Sequence, residues 1–122
     1  MTYHFLPVSD APRSVFLLDS APDGFPLRAR VEIRYLPAPE LRTISIWDDV
    51  TGKLLINQIP LICSRGQIND LLAPFRYLRQ GRGLGSLFVL KKADIPESPE
   101  PSSDNMSDFL FLWGDTFDAD KL

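Results

Sequence analysis

The chain has one cysteine and one histidine. A lone Cys63 cannot form an internal disulfide, which points to a reducing compartment. Two His/Cys side chains fall short of the three or four that a usual zinc site needs. A Cys63–His4 dyad can be drawn on paper, but Cys63 closes the apolar run Ile59 to Cys63, where a buried, inert thiol is expected. No apolar run approaches the roughly 18 residues of a membrane helix. The start, Met1 to Phe5, has neither a basic opening nor a long apolar stretch, and does not read as a signal peptide. Strong excess charge is also missing: 13 Lys/Arg stand against 16 Asp/Glu, a net −3. A strong nucleic-acid binder shows a clearer basic excess, so no specific nucleic acid is expected.

What is present is a globular composition. The chain has 122 residues, 44% hydrophobic and 24% charged, enough for one core without staples. The charge is segregated. Residues 1–93 carry twelve basic and eight acidic side chains, net +4, and residues 94–122 carry one basic and eight acidic, net −7. A basic body with an acidic end suits either a solvated tail or contact with a basic surface in an assembly.

Eleven prolines leave little room for helices, because proline lacks the backbone donor and clashes with the preceding turn. Strands fit better. Leu27 to Tyr35 alternates without a break: Leu27, Ala29, Val31, Ile33 and Tyr35 on one face, Arg28, Arg30, Glu32 and Arg34 on the other. That is a half-buried antiparallel strand. Leu41 to Asp48 reads as the next strand, with Ile44 and Ile46 opposite Thr43, Ser45 and Trp47. The cluster Asp48 to Gly52 reads as a hairpin turn, and Lys53 to Gln58 as a third strand completing a meander. Pro60 cannot donate to a ladder, so an edge or a bend is expected there. Ile68, Leu71 and Leu72 have helical spacing and predict a short helix over residues 67–73, stopped by Pro74. Gly81 to Gly85 reads as a flexible hairpin turn before the strand Leu87 to Leu90. It lacks the third glycine and the following helix of a dinucleotide fingerprint.

Residues 93–107 hold three prolines, several serines and four acids, and read as a loop or partly disordered insert. Phe109 to Trp113 is apolar on both faces, as expected of a central strand or one buried by a partner. Tyr3 to Pro7 and Ser14 to Leu18 add one or two strands. The expected fold is all-β: a small antiparallel barrel or sandwich of about six or seven strands with one short helix. One β domain is expected over 1–92 and 108–113, with an acidic loop at 93–107 and an acidic tail at 114–122.

No catalytic constellation emerges. Asp48 and Asp49 are adjacent, so on a strand they point to opposite faces. Asp115, Asp118 and Asp120 lack the glycine and terminal Glu of an EF-hand loop. No cofactor or metal is expected, and the chain does not read as an enzyme. The residues singled out are for partner contact: Phe109, Phe111 and Trp113 of the last strand, Phe117 in the acidic tail, and Arg76, Arg79 and Arg82 as a complementary basic turn.

The order of elements resembles the small baseplate plug proteins of contractile-tailed bacteriophages. The alternating strand ends in an aromatic (Leu27 to Tyr35). A strand with Trp47 and the turn Asp48 to Gly52 follows, then Leu54 to Leu61 with its Ile-Pro-Leu. After these come Asp70-Leu71-Leu72, Tyr77-Leu78, the glycine-rich turn, a polar proline-containing loop and the closing strand Phe109 to Trp113. The resemblance covers about residues 25–113. It implies a structural virion protein near the baseplate axis, between tail tube and spike and against the hub, with several copies in closed symmetry. It further implies hub, spike and tail-tube proteins as partners, self-association, and a place in the virion after assembly in the host cytoplasm. The alternative is a peptide- or protein-binding β-barrel adaptor.

Overall fold

The computed structural model describes residues 3–21, 26–38, 40–64, 69–81, 83–92 and 100–114. Seven strands follow in order among the described residues: β1 (Tyr3–Phe5), β2 (Arg13–Ser20), β3 (Leu27–Leu36), β4 (Leu41–Asp48), β5 (Leu54–Pro60), β6 (Ser86–Lys91) and β7 (Phe109–Gly114). One turn of α-helix, α1 (Leu78–Gly81), lies before β6. The fold is all-β, with two antiparallel sheets ordered β2-β3-β4-β5 and β1-β7-β6.

The alternation in β3 decides how the larger sheet faces. Leu27, Ala29, Val31 and Ile33 are buried while Arg28, Arg30 and Arg34 are exposed. Register carries this phase outward, Ile33 opposite Ile44 and Val31 opposite Ile46. In the smaller sheet Phe109, Phe111 and Trp113 alternate in the same way. The two inner faces close on one core that includes Val31, Ile33, Ile44, Ile56, Leu87, Val89 and Phe111. Each such side chain contributes about 1.5–3 kcal/mol by leaving water. β7 is the middle strand of its sheet, paired with β1 and β6, which explains why it is apolar on both faces.

The β4–β5 turn forms as its residues dictate. Asp48 Oδ1 accepts from Val50 N (2.9 Å) and Thr51 N (3.3 Å), and Gly52 takes φ +77°, a region where a Cβ is costly. Pro60 ends an edge strand, where its missing donor faces no neighbour.

Two expectations need correction. Within 67–73, the described residues 69–72 are not helical, and Ala73 opens a 3-10 turn, Ala73–Phe75. Pro74 sits in the first turn rather than ending a helix, because the donor it lacks has no partner there anyway. Asp70 takes over the local hydrogen bonding, its Oδ1 accepting from Leu72 N (2.9 Å) and Leu87 N (3.1 Å). The glycine-rich stretch is not a hairpin turn but the link from α1 to β6, and β6 pairs with the distant β7. Gly85 (φ +86°) is held against Trp113, where an added Cβ would collide with Gly114 O and come within 2.9 Å of the indole. The described part of the acidic insert, 100–107, is a loop whose Pro101 and Met106 are buried; residues 93–99 lie outside the described residues.

Candidate interaction surface

The sequence-selected aromatics sit inside the chain's own core. Phe109, Phe111 and Trp113 are each at most 3% exposed. They share one face of β7, and that face meets the larger sheet, so they cannot also face a partner. Trp113 Nε1 donates to Leu84 O (2.8 Å), which satisfies its one polar atom. Phe117 and Arg82 lie outside the described residues, as do Asp115, Asp118 and Asp120.

The basic turn is also committed locally. Arg76 stands 3.6 Å from the buried Asp70 carboxylate. Arg79 donates to Gly83 O (3.1 Å) and Pro26 O (2.7 Å), fastening α1 to the start of β3. Cys63 is buried, and its backbone N–H donates to the Glu100 carboxylate. His4 is exposed beside Trp113, with ring centroids 5.6 Å apart. Among the described residues no group of three or more His, Cys, Asp or Glu could hold a metal. No helix there is long and apolar enough to cross a membrane.

Sequence reasoning missed Arg42, which is fully buried. Its Nε donates to Ser102 O (2.7 Å), Nη1 to Ala11 O, and Nη2 to Asp10 O (3.0 Å) and Ser103 O (3.1 Å). The guanidinium lies 5.5 Å from the Tyr35 ring. Burial lowers its pKa, while the charges of Asp10 and Tyr35 oppose that shift. Asp10 also accepts from Met106 N (3.1 Å). One side chain thus ties β4 to the β1–β2 link and to the 100–106 loop. The signal was present: Arg42 is in phase with Ile44 and Ile46, so period two aimed it inward.

The surface best suited to a partner is the solvent face of the β2–β5 sheet. Register lays out a row of Leu17, Arg30, Trp47 and Leu54. Leu17 and Leu54 are about half exposed, and the Arg30 guanidinium stacks 4.8 Å from the Trp47 ring. The next row places Val15 beside Glu32, and the one after it Arg13 beside Arg34. Arg13 pairs with Glu32 (2.8 Å) and Arg28 with Asp49 (3.1 Å), while Arg34 has no carboxylate partner among the described residues. Four arginines against Asp19, Glu32 and Asp49, interleaved with Leu, Val and Trp, make a face both weakly basic and apolar. Exposed Arg beside a half-buried Trp is a pairing that protein interfaces concentrate. The alternating arginines of β3 were legible in the sequence, where they read only as a solvated face.

No protein-family model matches the chain, and a search of curated proteins returns no significant match.

Proposed function

We propose that the chain is a structural, non-catalytic component of a contractile phage tail. In this reading it is a plug or hub-associated protein of the baseplate, held between tail tube and spike, built into the virion and assembled in the host cytoplasm. The observation that carries the reading is the β2–β5 solvent face, where Arg30, Trp47, Leu17 and Leu54 form one row of a basic and apolar surface. Such a face suits docking onto a broad partner surface, not enclosure of a small substrate. The order of elements from Leu27 to Trp113 supports the baseplate assignment in particular.

The test is co-expression with the hub, spike and tail-tube proteins of the source virus, followed by affinity capture and light scattering. The expected result is a stoichiometric complex with one of them. Arg30→Glu and Trp47→Ala should weaken it, and Tyr77→Ser, away from the face, should not. Absence of any complex, together with absence of the chain from purified virions, would overturn the reading. A second reading, a peptide-binding adaptor, is favoured by the exposed edge of β2, because an open edge can accept an added strand. A monomer that ignores the tail proteins but takes up extended peptides would move it to first place.

A further inference from the structure

An exposed strand edge is a template for pairing, and proteins usually blunt it. Three of the four edges are blunted here. β6 is covered at two points, with Ser64 N donating to Val89 O (2.8 Å) and Leu71 N to Leu87 O (2.9 Å). β5 carries Pro60, Gln58 at φ +50°, and two register shifts against β4. β1 is only three residues long. β2 has none of these devices. It runs for eight residues in unbroken register with β3, and no described residue pairs with its other side.

The hydrogen-bond phase shows which groups that edge offers. Pro12 O accepts from Tyr35 N (2.8 Å), and Arg28 O accepts from Asp49 N (2.9 Å). Odd residues of β3 therefore bond towards β2, and even residues towards β4. In β2 the even residues bond to β3, so the N–H and C=O of Arg13, Val15, Leu17 and Asp19 point outward. The same four residues put their side chains on the solvent face, and all four are exposed.

We propose that β2 pairs antiparallel with β2 of a second copy, with Arg13 opposite Asp19 of that copy and Val15 opposite its Leu17. The strand is complementary to its own reverse. A two-fold axis through the Phe16 pair sets ion pairs at both ends and apolar pairs between them. All the odd residues then meet as hydrogen-bonded pairs. The adjacent registers of the same phase set Arg13 against Leu17, or Asp19 against Val15; they lose both ion pairs and keep a single apolar pair, Val15 with Val15 or Leu17 with Leu17. Asp19 has no ion pair of its own among the described residues, and Arg13 stays 62% exposed while holding Glu32. An isologous contact of this kind closes at two copies and makes one continuous eight-stranded sheet. It goes beyond the baseplate reading and does not depend on it.

The test uses the purified full chain alone. Light scattering should show the 13.8 kDa chain doubling in mass as concentration rises towards about 1 mM. Leu17→Lys should leave a folded monomer, since Leu17 is exposed and no described residue accepts from its N–H. Asp19→Arg should weaken the dimer about tenfold, because the like-charge contact occurs twice. In a Cys63→Ala background, Val15→Cys mixed with Leu17→Cys should give an oxidative cross-link that neither variant gives alone, because hydrogen-bonded partners lie about 5.5 Å apart at Cα. A monomer up to about 1 mM would overturn the proposal. So would a dimer that ignores Leu17→Lys and lacks the cross-link. Dimerisation without hub capture would sink the baseplate reading and leave this one standing; hub capture by a strict monomer would do the reverse.

Discussion

Replacing Arg42 by Met tests whether one buried cation fastens β4 to the β1–β2 link and the 100–106 loop. The wild-type guanidinium gives hydrogen bonds to four backbone carbonyls, those of Asp10, Ala11, Ser102 and Ser103. Hydrogen bonds to charged groups contribute about 1.5–3 kcal/mol each before the cost of burying the charge. That cost is large, and burial has already lowered the Arg42 pKa. The net worth is therefore far below the sum. Methionine fills much of the volume but leaves four buried acceptors empty, and cutting a buried network of this kind costs about 3–5 kcal/mol. For a chain of this size that is a fall in Tm of about 12–20 °C. Chemical denaturation with a common m-value gives the free energy, and Arg34→Met on the solvent face should stay within about 0.5 kcal/mol. Arg42→Lys should recover little, since one ammonium cannot span carbonyls on two loops. Amide exchange should accelerate at Met106 and Arg42, whose N–H groups donate to Asp10 Oδ1 and Pro101 O. The lowered pKa still leaves Arg42 charged at neutral pH. A base with a depressed folded-state pKa affects stability only near that pKa, and there stability rises with pH. The Arg42→Met penalty should therefore be flat between about pH 6 and pH 9. A loss below about 1 kcal/mol would refute the clamp.

Gly85→Ala should cost about 3 kcal/mol or more, because it strains a left-handed residue and drives a methyl group into Gly114 O and the Trp113 ring; thermal unfolding measures it. Asp70→Ala should cost about 2–4 kcal/mol, since Leu72 N and Leu87 N lose their acceptor and Arg76 its partner; Asp70→Asn, which keeps an acceptor oxygen, should cost less. Trp113→Phe should cost about 1–3 kcal/mol in denaturant titration, through a small cavity and an orphaned Leu84 carbonyl.

The strands were readable wherever one face is wet and the other dry. β3 shows its full alternation in the letters, and the β4–β5 turn announces itself through Asp48 and Gly52. The central place of β7 followed from apolar residues on both faces. Its functional reading did not, because Phe109, Phe111 and Trp113 share one phase and that phase points to the core. The helix expected over 67–73 is absent from the described residues 69–72, because helical spacing of apolar residues only says that they are buried. Leu72 is buried by a turn that Asp70 organises. Arg42 was in view but unweighed: a charge on an inward phase is an error in a lone strand and a tether once carbonyls from two loops converge on it. Those loops lie about thirty and sixty residues away, beyond any local pattern.

The same long-range logic bears on where partners meet the chain. Charge counted along the sequence pointed to Arg76, Arg79 and Arg82, but the first two spend their donors on Asp70, Gly83 and Pro26. A guanidinium already holding carbonyls or a buried carboxylate offers little to a visitor. The arginines of β2 and β3 differ, because the alternation that buries their neighbours leaves them on the solvent face with Trp47 and Leu17 between them. Arg30→Glu should therefore leave stability within about 0.5 kcal/mol while weakening partner binding, and Arg79→Glu should do the opposite. Parallel unfolding and capture measurements on those two variants decide between the two surfaces. If Arg79→Glu weakens capture without unfolding the chain, the binding surface lies at the glycine-rich link and not on the sheet.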